Sequence, residues 1–212
     1  MSPEDFIKAN ARLMAPPLVP EITLHLASEV VPLWRATEDE LAKIGLPPPY
    51  WAFAWAGGQA LARYVLDHPE IVQGKRVLDI GAGSGLVGLA AAKAGAADVL
   101  AADIDAFSCA AVRLNAVAND VVLTVTQDDL IGTPGDWDVI LVGDLFYERP
   151  LAERLLAWLA PLDALPLLGD PGRNYFPKSG IQKLASYSVQ TTRDLEDREI
   201  RETGVYRLSF GD

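Results

Sequence analysis

The chain has 212 residues, half of them hydrophobic and 22% charged, which suits a folded globule rather than a disordered chain. Its formal charge of −11 disfavours phosphate backbones and anionic lipid as partners, and no local basic patch offsets it. Cys109 is the only cysteine, so no intramolecular disulfide can form.

The first ten residues, MSPEDFIKAN, are acidic and lack the basic and apolar regions of a signal peptide. No apolar run reaches the ~18 residues of a membrane span. These features set the expectation of a cytoplasmic protein with no membrane partner. Ser2, Pro3 and Asp5 read as a helix start, and the helix is expected to run until just before Pro16. EITLHLA alternates, with Ile22, Leu24 and Leu26 on one side, and reads as a half-buried strand. Thr37 and Glu40 form a capping box for a short helix ending near Gly45, and Pro47 to Pro49 make a stiff connector. Residues 1–50 are thus expected to be an N-terminal extension, and residues 51–212 the main domain.

From Gly57 onward the rhythm changes. Strands RVLDI, ADVLAAD, VVLTVT, WDVILVG and ALPLLGD alternate with helices GGQALARYVLDH, LVGLAAAKAG, AFSCAAVRLNAVAN and PLAERLLAWLA. This is the pattern of βαβ units around a parallel sheet buried on both faces. YSVQTTR and GVYRLSF alternate and follow one another across a charged link, as an antiparallel pair at one sheet edge would. The expected fold is an α/β, Rossmann-like, doubly wound seven-stranded sheet, mostly parallel with an antiparallel C-terminal strand.

The chemistry is expected to gather at VLDIGAGSG, where Gly81, Gly83 and Gly85 follow the first sheet strand directly. In such sheets ligands bind beyond the carboxyl ends of the strands, and glycines there let the backbone approach without Cβ clashes. A plain strand-to-helix turn would carry the same residues, but three details point to a ligand. The third glycine falls at 85 rather than 86, which breaks the dinucleotide fingerprint. Asp79, inside the strand, can hold the loop N–H groups or reach a cationic ligand, whereas it would repel a pyrophosphate. Asp103, ending the next strand, can accept both hydroxyls of a ribose. Together they favour S-adenosylmethionine, with S-adenosylhomocysteine as product.

VLDIGAGSGLVGLAAAKAGA followed by VLAADIDAFSCAAVRLNAVAN resembles the first two motifs of the class I, seven-β-strand methyltransferases. GDLFY (143–147) matches the Asp-x-x-Tyr signature of the family 16 protein-lysine methyltransferases. PYWAFAWAGGQALARYV and GDPGR (169–173) are similar to the branch of that family acting on lysines of the electron transfer flavoprotein β subunit. The resemblance covers residues from Trp51 to Phe210. It implies that Gly81, Gly83 and Gly85 support the methionine part of the cofactor, that Asp103 takes the ribose, and that Asp128 meets the adenine amino group, with Asp129 one register slip away. Gly143 is implied to lie close to the cofactor, and Trp55 to precede the helix that covers it.

Asp144 and Tyr147 are the implied catalytic pair: the acid would attract and orient a lysine ammonium, and the tyrosine would shape the channel and exclude water. The plainer role for Asp144 is a helix cap before Pro150. Asp170 and Arg173 either face substrate or hold a turn by a salt bridge. His25 and His68 have no metal-ligand neighbours, so no metal is expected, and both read as surface residues. The implied activity is protein-lysine N-methylation; no nucleic-acid partner is expected, and the oligomeric state is open, with a monomer favoured. The alternatives are a ribosomal-protein or small-molecule amine acceptor, and a non-catalytic cofactor-binding module. The stretch before Trp51 is shorter than the N-terminal substrate domain of L11-type enzymes, which argues against that acceptor.

Overall fold

The structure, a computed structural model, describes residues 1–27, 48–191 and 200–209. The expected helix capped by Thr37 and Glu40, and the charged link between the last two strands, lie outside those residues. Helix α1 spans Pro3–Asn10, with Ser2 accepting the Asp5 N–H as its cap. It stops well short of Pro16. Ala11 is extended, and strand β1 (Arg12–Met14) pairs antiparallel with β2 (Leu24–Leu26). Nothing in the local sequence breaks the helix there; a long-range strand partner overrides the helical propensity of Ala-Arg-Leu-Met. This two-stranded sheet is tied to helix α4 (Ala106–Ala118) and the residue that caps its end. The Thr23 and His25 N–H groups donate to Asn119 and Asn115, at 2.9 and 2.7 Å. His25 is therefore half-buried, with Nδ1 2.8 Å from Asn115 Oδ1, rather than a free surface residue. His68 is exposed, as expected.

The main sheet has seven strands: β3 (Arg76–Ile80), β4 (Asp98–Ala102), β5 (Thr124–Thr126), β6 (Val139–Gly143), β7 (Leu165–Asp170), β8 (Ile181–Gln190) and β9 (Ile200–Leu208). Their order is β5-β4-β3-β6-β7-β9-β8. Strands β3 to β7 are parallel, and β9 runs antiparallel to both neighbours. Adjacent residues of each central strand serve opposite faces. Val77, Val139, Leu141 and Leu167 pack in one cluster with Leu61 and Val65 of helix α2 (Ala56–Asp67) and Leu89 of helix α3 (Leu86–Lys93). Leu78, Ile140, Val142 and Leu168 pack on the other face with Leu155 and Leu159 of helix α5 (Arg149–Leu159). All of these side chains are essentially out of water, so each contributes roughly 1.5–3 kcal/mol of burial.

Strand β3 pairs with β4 on one side and β6 on the other, so the strand order reverses beside it. That reversal opens a crevice at the carboxyl ends of β3 and β6. The N-terminus of α2 reaches it by a backbone-on-backbone contact. A Cβ on Gly57 would lie 2.2 Å from the Gly169 carbonyl oxygen, and a Cβ on Gly169 would lie 2.2 Å from that of Gly57. Only glycine at both positions lets the helix sit this low on β7. Among the described residues no helix is long and apolar enough to cross a membrane.

Candidate active site

A cleft of about 460 Å³ lies over the carboxyl ends of β3, β4 and β6. Its floor is the loop after β3. Gly81, Gly83 and Gly85 all have positive φ, at 67°, 53° and 80°, a region costly for residues with a Cβ. Gly81 and Gly83 line the cleft. Gly85 does not; it is the N-cap of α3, packed so closely that a Cβ would touch Val112 at 3.0 Å. Because this cap has no side chain, Asp79 substitutes for it from inside β3. Its Oδ2 accepts the Gly88 N–H at 2.8 Å. Asp79 is buried away from the cleft, and burial pushes its carboxyl up to about 7. Of the two roles read for it, holding N–H groups is the one its position serves.

Asp103 stands at the end of β4 and lines the cleft. Its Oδ2 accepts the Gly83 N–H at 2.8 Å and its Oδ1 the Asp105 N–H at 2.9 Å, so acid and glycine loop form one unit. Burial raises its pKa, and these two N–H groups counter the rise. Asp105, which the sequence reading passed over, caps α4 through the Phe107 and Ser108 N–H groups and also lines the cleft. Beyond Asp103 lies an apolar slot made by Ile104, Leu130 and Ile131. Ile104 is 70% exposed, an odd place for isoleucine unless a flat apolar group covers it. Asp128 and Asp129 both reach this end. Asp129 is held by Arg154 Nη2 at 2.7 Å, which pulls its pKa below the usual carboxylate range. Asp128 is held by the Thr126 hydroxyl at 2.6 Å, with no ion pair among the described residues. The geometry therefore leaves Asp128 the better acceptor for an exocyclic amine.

The opposite end is built around Asp144, directly after β6. Its φ of 59° is left-handed, a conformation rare outside glycine, asparagine and aspartate. The strain turns its carboxylate back toward α2, where Oδ2 accepts the Gly58 N–H at 2.9 Å. Asp144 thus caps a helix, but α2 rather than the one beginning near Pro150, whose N-cap is Glu148. Its Oδ1 accepts Nε and Nη2 of Arg173, at 3.0 and 2.6 Å. The Arg173 guanidinium also lies over the Trp55 ring, 5.6 Å from its centre. Trp55 is the N-cap of α2 and lines the cleft, as do Asp144, Tyr147, Gly143 and Arg173. A Cβ on Gly143 would press on Gly58 Cα at 3.2 Å, so the crowding falls on the α2 N-terminus.

Asp170 is not part of the cleft wall. It is 1% exposed, and its Oδ1 accepts the Gly172 and Arg173 N–H groups at 2.6 and 2.7 Å, folding the loop that delivers Arg173 to Asp144. Its Oδ2 is buried without a partner, and burial, together with Asp144 nearby, pushes its carboxyl up to about 7. Within GDPGR, Arg173 forms a salt bridge with Asp144 and lines the cleft, while Asp170 shapes the turn beneath it.

Tyr147 is 38% exposed, and burial of its hydroxyl pushes its pKa up to about 12, so it stays a neutral phenol. Its ring meets that of Tyr50 at 5.9 Å. Tyr50, also missed in the sequence, begins a 3-10 turn (Tyr50–Ala52), and its carbonyl oxygen accepts the Trp55 indole N–H at 3.0 Å. Only the aromatic density of PYWAFAW hinted at it.

Comparison with known proteins accords with this arrangement. Residues 59–143 match the family model for Ribosomal protein L11 methyltransferase (PrmA). The solved structures that resemble the chain include magnesium protoporphyrin IX methyltransferase from Synechocystis PCC 6803 with bound SAM, at a TM-score of 0.54 and 18% identity, covering 73% of this chain and 80% of that one. The ribosomal protein L11 methylase from Lactobacillus delbrueckii subsp. bulgaricus gives 0.52 and 22%, covering 74% and 81%. These share the fold. Closer in sequence are proteins named electron transfer flavoprotein beta subunit lysine methyltransferase. That of Xenopus laevis is 39% identical over 214 residues, covering 96% of this chain and 86% of its own length. The human protein is 38% identical over 194 residues, covering 83% and 70%. With identity of this level across nearly its whole length, the chain belongs to the electron transfer flavoprotein beta subunit lysine methyltransferase family.

Proposed function

We propose that the chain transfers methyl groups from S-adenosylmethionine to lysine side chains of the electron transfer flavoprotein β subunit. The observation that carries this reading is the pairing, within one cleft, of a glycine-loop acid, Asp103, with a strained acid, Asp144, at the other end. The named targets of the relatives supply the acceptor.

The residues fit the cofactor. Asp103, already oriented by two backbone N–H groups, would receive the ribose hydroxyls. Ile104, Leu130 and Ile131 would cover the adenine faces, with Asp128 at its amino group. The positive-φ glycines 81 and 83 leave room for the methionine portion. When bound, the cofactor supplies an electrophilic methyl on a sulfonium: the C–S bond breaks as the N–C bond forms, leaving S-adenosylhomocysteine.

The chain itself supplies alignment more than acid–base chemistry. A lysine ammonium, with an ordinary pKa of about 10.4, must lose its proton before attack. Asp144 would attract it as a cation, the ammonium displacing Arg173 from Oδ1. Desolvation in the cleft then lowers its pKa, and the proton leaves to solvent. Tyr147, neutral and exposed at the cleft, bounds the channel and keeps water from the methyl group.

The test is mass spectrometry of proteins from cells with and without this chain. A lysine peptide of the flavoprotein β subunit heavier by whole methyl masses only when the chain is present supports the proposal. Methylation confined to a ribosomal protein or a small amine would replace that acceptor.

A further inference from the structure

Asn115, near the end of helix α4, is fully buried and takes no part in the cleft wall, yet its side chain joins two distant segments. On one side its Nδ2 donates to the Ser84 carbonyl at 2.8 Å. On the other its Oδ1 accepts the His25 N–H of strand β2 at 2.7 Å, with His25 Nδ1 at 2.8 Å. The orientation of the amide is dictated, since a backbone carbonyl only accepts and a backbone N–H only donates. The amide oxygen only accepts as well, so His25 Nδ1 is its second donor.

Ser84 lies in the glycine loop between Gly83 and Gly85 and is itself buried. The Gly83 N–H donates to Asp103, so the loop is gripped twice: from the cleft by Asp103 and from behind by Asn115. A buried carbonyl that loses its donor is costly, so without Asn115 the loop would swing Ser84 toward water and carry Gly83 with it. Strand β2 supplies a second link. Ile22, Leu24 and Leu26 pack in the same cluster as Leu86 and Val87, the first residues of α3. Asn119 holds the residue before the strand, accepting the Thr23 N–H at 2.9 Å and donating to the Thr23 carbonyl at 2.6 Å. A segment far from the cleft in sequence thus reaches the floor of the cofactor site without lining it.

We infer that Asn115 is a positioning residue for the cofactor, clamped by His25 of strand β2, so that the N-terminal segment pre-forms the glycine loop. The inference rests on S-adenosylmethionine lying over Gly81 and Gly83, as in the proposed function. It adds a role for residues before Trp51. A loop already in shape binds more tightly, because ordering it costs nothing at the moment of binding.

The test is calorimetry of the intact chain with S-adenosylhomocysteine. Asn115→Asp keeps the acceptor toward His25 but turns an oxygen on the Ser84 carbonyl; its affinity should fall about tenfold. His25→Ala removes one donor from a half-buried position and keeps the backbone N–H, and it should weaken binding about threefold. His25→Asn, whose amide nitrogen can stand in for Nδ1, should restore wild-type affinity, a rescue that a general loss of stability would not give. In turnover, Asn115→Asp and His25→Ala should raise KM for S-adenosylmethionine and leave kcat at saturating cofactor within about twofold. Wild-type affinity in folded Asn115→Asp overturns the inference, as does a fall in kcat that saturating cofactor does not correct. Should Asn115→Asp fail to fold, the histidine pair decides: equal affinity in His25→Ala and His25→Asn overturns the clamp. Wild-type binding is measured first, and its failure would count against the proposed function, whereas its success with indifferent variants would remove only this role.

Discussion

The ion pair between Asp144 and Arg173 gives the sharpest prediction. The two side chains are 9% and 19% exposed, so most of the pair is out of water. Asp144→Asn is the clean perturbation, because asparagine tolerates the left-handed φ of 59° and its amide oxygen can still accept the Gly58 N–H. What it removes is the charge facing Arg173. Breaking a buried pair from one side costs about 3–5 kcal/mol, and the lower end applies here because the guanidinium keeps some water. At ~2–4 °C per kcal/mol for a chain of this size, the melting temperature should fall by about 6–12 °C. Arg173→Met should be destabilising for the mirror reason. The double variant should cost at least ~2 kcal/mol less than the sum of the singles, since the Asp144–Arg173 interaction can be lost only once. Urea denaturation of the four proteins measures this coupling. Single costs that add to within ~0.5 kcal/mol would show that the pair is not a unit, and the geometry argued for the acceptor end would lose its basis. Asp144→Asn should also bind S-adenosylhomocysteine with wild-type affinity while losing methyl transfer, because the residues that would hold the ribose and adenine lie at the other end.

Asp103→Asn should weaken S-adenosylhomocysteine binding by about a hundredfold in calorimetry, the loss expected when two hydrogen bonds to a charged acceptor are downgraded; unchanged affinity would remove Asp103 from the ribose. Gly57→Ala should destabilise by about 3 kcal/mol, because its methyl meets the Gly169 carbonyl at 2.2 Å and Asp144 Oδ2 at 2.5 Å. The adjacent Gly58→Ala, with only Val87 at 3.8 Å, should be neutral or stabilising by about 0.5 kcal/mol, and equal costs in thermal melts would refute that contact. The Asp170 carboxyl, pushed up to about 7, holds its proton more tightly folded than unfolded, where ~3.9 is ordinary. Between those values the unfolded chain binds fewer protons, so stability falls as pH rises from about 4 to 7. Asp170→Asn should flatten part of that fall, Asp79 supplying the remainder; urea midpoints that stay parallel to wild type across the window would contradict it.

The order of strands and helices from Gly57 onward was legible because hydrophobic runs, glycine turns and caps all agree there. So was the clustering of Gly81, Gly83, Asp103, Asp144 and Tyr147, since residues at the carboxyl ends of adjacent parallel strands must meet. Three things were not legible. The end of α1 at Asn10 depends on β2, a partner distant in sequence. Asp79 and Gly85 sit in the glycine motif, but Asp79 binds the start of α3 and Gly85 packs on Val112 rather than lining the cleft, contacts that depend on how the helices pack. Tyr50 enters the site through a short turn packed on the glycine loop, and an aromatic in PYWAFAW carries no local mark separating core from cleft.

The central claim is that one cleft brings a methyl donor and a flavoprotein lysine together. Its most direct test is to incubate the purified chain with S-adenosylmethionine carrying a labelled methyl group and with purified electron transfer flavoprotein β subunit, then locate the label by mass spectrometry. Label on a lysine of that subunit, absent with Asp144→Asn, is the predicted result. A chain that binds the cofactor with wild-type affinity yet leaves every lysine of that subunit unlabelled would contradict it.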